Sequence, residues 1–200
     1  MSAKKLKVAV EPKLLKLDFG CGPNPREGFE GVDIRSFDGK AKHVLNLVEK
    51  NTSGQFIRKT PYELFKKWPW ADNSVEEAHS SHFIEHLDQM ERVHFVNELY
   101  RVLIPGGKAL IIAPHWSSCR AYGDMTHKWP PVSEFWFFYL DKAWRAINAP
   151  HNDFYTCDFN VGWGYSLDNE SVTKNQETQQ FRMQHYKDVC QDIVVTFTKK

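Results

Sequence analysis

The sequence lacks a long hydrophobic run, and its mean hydropathy is −0.54. A membrane-spanning helix needs about 20 consecutive apolar residues, so we expect no membrane span. The first ten residues, MSAKKLKVAV, contain no apolar stretch long enough for a signal peptide. These absences predict a cytoplasmic protein that does not associate with membranes.

Cysteine is also scarce, and the four cysteines are Cys21, Cys119, Cys157 and Cys190. They lie far apart and show none of the short spacings that are typical of metal sites. A disulfide scaffold is therefore excluded, and incidental thiols in a reducing compartment are expected. On cysteine spacing, the sequence predicts no metal.

Excess charge of either sign is absent, because the formal net charge of the 200 residues is +1. This balance argues against a broad nucleic-acid or anionic-membrane surface, although it is compatible with a local basic patch. The length fits a single domain over residues 1–200, and residues 1–13 are expected to form a flexible arm. The oligomeric state is left open.

A glycine-containing turn follows the first apolar segment. Leu14–Leu17 predicts a buried strand, which is broken by the turn Gly20-Cys21-Gly22-Pro23. Glycines leave the backbone open to close approach. A second short strand over Phe29–Ile34 contains Asp33. Strand, glycine turn, strand and acid are typical of a nucleoside-binding α/β sheet, in which the acid binds ribose hydroxyls.

The turn lacks the third glycine of a dinucleotide fingerprint, and Asp33 follows Gly22 by 11 positions instead of about 20. Pro23 and Pro25 limit any helix between the strands to about one turn. With so little helix dipole available for a phosphate, the site suits a nucleoside without phosphate. NAD is therefore disfavoured.

Five sequence blocks occur in a fixed order between Leu17 and Gly107. They are Leu17–Pro25, Gly28–Asp33, Trp68–Val75, Ser81–His86 and Glu98–Gly107. In this order they resemble the class I S-adenosylmethionine-dependent methyltransferases, in particular a subset with a shortened first crossover. The resemblance implies an α/β fold: a Rossmann-like, mostly parallel sheet of about seven strands with helices on both faces, whose last strands form an antiparallel edge hairpin.

The same resemblance implies S-adenosyl-L-methionine as cofactor and assigns its binding residues. These are Asp18, Gly20, Cys21 and Gly22 at the turn, Asp33 and Ile34 after the second strand, Asn46 and Leu47 after the third, and Ser81 and His82 after the fourth. Asn46 stands where the family often has an acid that contacts the adenine amino group, and its amide oxygen can accept the same hydrogen bond.

The remaining elements follow from periodicity. Further strands are predicted over Ala41–Leu47, Val75–Ser80 (unusually polar for a central strand), Lys108–Ala113, Asn152–Leu167 and Val189–Thr198. Helices are predicted over Asp88–Leu103 with Asp88 as N-cap, over the aromatic stretch Ser133–Asn148, and over Glu177–Lys187. Residues 48–67 suggest an insertion, a lid or a surface excursion, with a helix beginning after Pro61.

Candidate catalytic residues cluster at the expected carboxyl ends of the fourth and fifth strands. The loop 114–131 is long for a connection, and its Asp124-Met125-Thr126-His127 is similar to an element of the resembled subset, which suggests acceptor recognition. The candidates for a general base are His82, Glu85, His86, His115, Asp124 and His127, with His127 and His115 first. A metal held by His115, Asp124 and His127 is not favoured, because spacing across a loop is not evidence for a site.

Three functions are compatible with these features. The first is methyl transfer by direct displacement to an unidentified acceptor. The stretch Ser80–Phe83 stands where amino-methylating DNA enzymes have a proline-rich tetrapeptide, so a small molecule, sugar or protein side chain is favoured over a nucleobase. The second is an inactive cofactor-binding module for regulation or interaction. The third, more distant, is a NAD-dependent oxidoreductase.

Overall fold

The structure is a computed structural model that describes residues 13–51 and 64–200. In these residues the chain forms a seven-stranded mixed sheet. The strands are β1 (Leu15–Phe19), β2 (Glu30–Asp33), β3 (His43–Val44), β4 (Val75–Ser81), β5 (Leu103–Pro114), β6 (Phe159–Leu167) and β7 (Cys190–Lys199). Their order is β3-β2-β1-β4-β5-β7-β6; β7 pairs antiparallel with both β5 and β6, and the other neighbouring strands pair in parallel. The predicted Rossmann-like sheet with an antiparallel edge is confirmed. Most of the predicted arm and the start of the predicted insertion helix lie outside the described residues.

The helices lie between strands. They are α1 (Gln89–Val102), α2 (Arg120–Gly123), α3 (Glu134–Phe138), α4 (Lys142–Asn148) and α5 (Gln176–His185), with 3-10 helices at Ile84–His86 and Ser171–Thr173. Asp88 caps α1 as predicted: its carboxylate accepts a hydrogen bond from Glu91 N, and the Glu91 carboxylate accepts one from Asp88 N. In the described part of the chain, no helix is both long and apolar enough to cross a bilayer.

The predicted single helix Ser133–Asn148 is wrong, because the structure divides it into α3 and α4. Asp141 between them is a helix cap, and its side chain accepts a hydrogen bond from Trp144 N. The Leu140 side chain is fully buried in the core, and its carbonyl accepts a hydrogen bond from Phe159 N at the start of β6. The apolar spacing of the sequence continues across Asp141, so it does not reveal that the helix ends before this residue and a new one begins after it.

Residues 104–107, where the sequence Ile-Pro-Gly-Gly indicates a turn between the helix and the next strand, are part of strand β5. The pairing with β4 shifts register there, since Val75 lies opposite Leu103 but Glu77 lies opposite Lys108. Gly106 occupies the left-handed region with φ +76°, a conformation that glycine adopts without a Cβ penalty. A bulge thus accommodates the proline and glycines without ending the strand.

The two faces of the sheet differ in polarity. On the face that contacts α1, Phe19 packs on Trp68 and Phe95 with ring centroids 4.7 and 5.8 Å apart. On the opposite face Lys16 pairs with Glu77 at 2.6 Å, and an open groove of about 590 Å³, with no helix residue in its lining, borders β4 and β5. The polarity of β4 that made it an unusual central strand follows from this alternation.

Candidate active site

The glycine turn, residues 20–23, joins the ends of β1 and β2. Gly20 N donates to the Val32 carbonyl at 2.8 Å, and Gly22 N donates to Asp33 Oδ2 at 2.9 Å. Both glycines are in the left-handed region, with φ +66° and +55°, where a Cβ is strained. The structure therefore brings Gly20, Gly22 and Asp33 together. Binding of a ribose between the turn and the Asp33 carboxylate, which we call the cofactor cradle, requires this arrangement.

The open side of this turn is at Gly22. A Cβ added there meets nothing within 4 Å, whereas one at Gly20 would lie 2.5 Å from the Phe83 ring. Cys21 is half-buried against Gly31. Burial raises the pKa of the Cys21 thiol to about 11, and the nearby carboxylates of Asp33 and Asp18 add to this effect. The thiol is therefore neutral at physiological pH.

Asp18 faces protein groups, not the cleft. Its residue is only 3% exposed, its Oδ2 accepts a hydrogen bond from Arg26 N at 2.7 Å, and its Oδ1 lies 2.7 Å from His79 Nδ1. Asp18 thus fastens the β1–β2 connection to β4. Its contribution to a cofactor site is to position the turn.

The predicted adenine side is mixed in its exposure. Ile34 presents an apolar side chain that is 62% exposed. Asn46 is exposed, but its amide oxygen already accepts a hydrogen bond from Val48 N at 3.1 Å. Leu47 is buried in the core, and its carbonyl accepts a hydrogen bond from Trp68 Nε1. Of these predicted residues, Ile34 and Asn46 are accessible to a ligand and the Leu47 side chain is not.

Ser81 and His82 lie where β4 ends, beside β1 in the sheet. His82 has φ +52°, an uncommon value for a residue other than glycine that often marks a functional site. Its backbone N donates to the Ile112 carbonyl at 2.9 Å, and its Nδ1 stands 3.4 Å from Glu85 Oε1. The Glu85 carboxylate raises the pKa of His82, against the lowering effect of partial burial.

Five of the six base candidates line one groove of about 590 Å³, which we call the histidine groove. It is lined by His82, Glu85, His86, Asp124 and His127, together with Pro114, Arg120, Gly123 and Met125. The loop is held in place because Lys128 N donates to the Glu85 carbonyl at 2.8 Å and Arg92 Nη1 donates to the Pro130 carbonyl at 2.6 Å. Arg92 was missed by sequence reasoning, since nothing in its local pattern marks a buried arginine on α1.

Within the groove, a short hydrogen-bond chain orients the histidines. Thr126 Oγ1 donates to Asp124 Oδ1 at 2.7 Å and lies 2.9 Å from His86 Nδ1. Hydrogen bonds from the Thr126 hydroxyl and backbone lower the pKa of Asp124. His127 Nδ1 lies 3.3 Å from the Ala121 carbonyl, and its ring meets that of His86 edge-on at 4.8 Å.

His115 does not line the histidine groove. Its Nε2 donates to Glu134 Oε1 at 2.9 Å, and its Nδ1 accepts from the Ser117 hydroxyl at 2.8 Å and the Ser117 backbone at 3.3 Å. Glu134 also accepts from Tyr165 and Trp116. Burial opposes ionisation of Glu134, but the hydrogen bonds outweigh it and lower its pKa to about 2. Both His115 nitrogens have hydrogen-bond partners within the protein, so His115 holds Ser117 and Glu134 in position. No sequence motif marks Glu134.

Comparisons with known proteins agree on the fold. A family model described as a methyltransferase domain matches residues 17–111. A search of the curated proteins gives no match.

Among solved structures, a SAM-dependent methyltransferase from Archaeoglobus fulgidus has TM-score 0.57 and 19% identity over 94% of this chain and 87% of that one. A SAM-dependent methyltransferase from Methanosarcina mazei has TM-score 0.52 and 15% identity over 95% and 94%. Geranyl diphosphate C-methyltransferase from Streptomyces coelicolor, in complex with Mg²⁺, geranyl diphosphate and S-adenosyl-L-homocysteine, has TM-score 0.51 and 14% identity over 94% and 73%.

The family match begins in β1, includes the glycine turn and Asp33, and ends in β5. It therefore covers the part of the sheet that holds the predicted cofactor cradle. Residues 17–111 thus match the methyltransferase domain family, and the chain has the fold of the S-adenosylmethionine-dependent methyltransferases to which it is similar.

Proposed function

We propose that the chain transfers the methyl group of S-adenosylmethionine, bound at the glycine turn and Asp33, to an acceptor in the histidine groove. The observation that supports this most is adjacency: the Phe83 ring packs at Gly20, while the preceding residue, His82, lines the groove. Open α/β sheets bind ligands at the carboxyl ends of their strands. Donor and acceptor sites at neighbouring strand ends suit an in-line displacement.

The cofactor supplies the reactive methyl group, so the protein has to orient the acceptor and exclude water. Orientation of this kind contributes on the order of 7 to 11 kcal/mol in favourable cases. In this proposal His127 accepts the acceptor's proton at Nε2, since its Nδ1 is directed at the Ala121 carbonyl. Asp124, whose Oδ2 is 3.9 Å from that Nε2, stabilises the resulting charge.

The proposed acceptor is a small molecule, a sugar or a protein side chain. The net charge of +1 and the mixed acidic and imidazole lining of the groove support this choice over a nucleobase. We further propose that residues 1–200 act as one domain in a reducing cytoplasmic compartment. One buried core that runs from β1 to β7, and four free cysteines, support that view.

Titration calorimetry with S-adenosylmethionine and S-adenosylhomocysteine, alongside a methyl-release assay on a panel of acceptors, tests the proposal. Binding of both, with turnover on at least one small molecule, sugar or peptide, is expected. Binding without turnover on any acceptor would favour the inactive cofactor-binding module. A rise in melting temperature with NAD, and none with S-adenosylmethionine, would favour an oxidoreductase.

A further inference from the structure

Three groups in the histidine groove converge in a way that methyl transfer alone does not require. One oxygen of Glu85 and one nitrogen each of His86 and His127 lie within 4.8 Å of one another. Glu85 and His86 come from the 3-10 helix after β4, and His127 comes from the loop after β5. Two imidazoles and a carboxylate are a ligand set of catalytic Zn²⁺ sites, in which three protein ligands leave a fourth position open.

The Glu85 carboxylate is the second, independent observation. The residue is 4% exposed, and within the described part of the chain neither oxygen accepts a hydrogen bond. His82 Nδ1 stands 3.4 Å from Oε1, and Arg120, which borders the groove, is paired with Asp192. The long contact with His82 compensates this buried carboxylate only in part, and a buried carboxylate without full compensation is costly. A cation bound at a Glu85 oxygen removes that cost.

The imidazoles have the tautomers that a cation needs. The Thr126 hydroxyl has one hydrogen, which it donates to Asp124, so it accepts the Nδ1 hydrogen of His86. The Ala121 carbonyl can only accept, so His127 also carries its hydrogen on Nδ1. Both Nε2 atoms therefore present lone pairs. Outer hydrogen bonds that fix the tautomer in this way are typical of histidines that bind metals.

We propose that Glu85, His86 and His127 bind a divalent transition cation, with Zn²⁺ as the best match. At ligand distances of about 2.0–2.2 Å, a tetrahedral cation separates its ligand atoms by roughly 3.4 Å. Side-chain rotations that shorten the longest separation by about 1.4 Å therefore close the site. The groove leaves a fourth position for a water or an oxygen of a bound molecule. In the cation-bound form His127 is a ligand, and its role as a base applies to the metal-free protein.

The sequence did not predict this set. It predicted no metal and considered only His115, Asp124 and His127, of which His115 does not line the groove. Asp124 lines the groove but is not one of the three converging groups; it accepts a hydrogen bond from Thr126, which in turn orients His86. The proposed ligands Glu85 and His86 are adjacent in sequence and 41 or more positions from His127, a spacing that no short metal motif describes.

The test is a Zn²⁺ titration of EDTA-treated protein without an affinity tag, in competition with a chromophoric chelator and without S-adenosylmethionine. One equivalent of tight binding is expected. Glu85→Gln and His127→Asn should each weaken it by about 100-fold or more, and Thr126→Val, which touches no cation, by roughly 10- to 100-fold. The matched control His185→Asn, at an exposed histidine at the end of α5, should bind as the parent does.

Melting curves separate a lost site from a lost fold. Zn²⁺ should raise the melting temperature of the parent but not of Glu85→Gln, and a cooperative melt of metal-free Glu85→Gln shows that this variant is folded. Absence of tight binding, or parent-like affinity in Glu85→Gln, would overturn the proposal; the second result would assign the cation to other groups, such as the exposed thiol of Cys119. Because no methyl donor is present, neither result depends on the proposed function.

Discussion

His115 and His127, the two leading base candidates of the sequence, differ in how their nitrogens are used. His115 is held between Ser117 and Glu134 and is 5% exposed. His127 directs one nitrogen at the Ala121 carbonyl and leaves Nε2 in the histidine groove, 3.9 Å from Asp124. A histidine with both nitrogens satisfied holds structure, whereas one with a free lone pair in a groove can take a proton or bind a cation.

The largest expected effect separates these two histidines directly. His127→Asn should lower the rate of methyl transfer on the order of 10²- to 10⁴-fold, because a positioned proton acceptor or ligand is lost, with little change in melting temperature. His115→Asn should act mainly on stability. Steady-state kinetics and thermal melts of the two variants measure this difference. Equal losses of kcat per folded molecule would contradict the different roles assigned to His115 and His127.

The same distinction applies to two acids. Asp33→Ala should weaken binding of S-adenosylhomocysteine by roughly 1.5 to 3 kcal/mol, the value of a charged hydrogen bond, in titration calorimetry. Asp33 also accepts hydrogen bonds from the backbone of Gly22 and Arg35, but it is only partly buried. Asp18→Asn should instead lower the stability of the protein, because Asp18 is 3% exposed and both its oxygens have partners within the protein. If Asp33→Ala leaves the affinity unchanged, the ribose is bound elsewhere.

Glu134 tests the structural role of the His115 cluster. Glu134→Gln removes the charged acceptor of three side-chain donors and should lower the free energy of unfolding by about 1.5 to 3 kcal/mol. The folded pKa of Glu134, about 2, is below its usual 4.5, so this stabilisation is present above pH 4.5 and is lost as the pH falls towards 2. Urea unfolding at pH 7 and pH 3 measures the difference, and parent-like stability at pH 7 would contradict it.

We expect a smaller effect on the free energy of unfolding, which depends on pH, from a third histidine, the fully buried His94. Burial lowers the pKa of His94, which stacks on Phe65, from 6.5 to about 4. The unfolded chain therefore binds a proton that the folded one does not between pH 6.5 and 4, so stability falls as the pH falls through this window. Between pH 7.5 and 5.0 His94 should account for about 2 kcal/mol.

Urea unfolding of the parent and of His94→Phe at pH 7.5 and 5.0 measures this contribution as the difference in their pH dependence. A variant that loses as much stability on acidification as the parent would show that His94 is not the group responsible.

The elements and the cradle could be predicted because their signals are local. Apolar runs, the Asp88 cap and the spacing of Gly20, Gly22 and Asp33 are each read within a few residues. From the sequence, Gly20→Val is expected to block the ligand and spare the fold. The structure places the Phe83 ring where the new Cβ would lie, so this variant would also strain the fold.

The division of the candidate bases could not be predicted because it depends on partners distant in sequence. Glu134, which occupies His115, is 19 residues away, and Thr126, which orients His86, is 40 residues away. The break between α3 and α4 combines a local cap, Asp141, with a distant partner, since the Leu140 carbonyl is paired with Phe159 of β6. Such hydrogen bonds leave no periodicity in the sequence.

A crystal structure with S-adenosylhomocysteine tests the account most directly. The ribose hydroxyls should bind the Asp33 carboxylate beside Gly22, and the sulfur should face the histidine groove within reach of an acceptor near His127. A ligand bound away from Gly22 and Asp33, or a sulfur that faces away from the groove, would contradict the account.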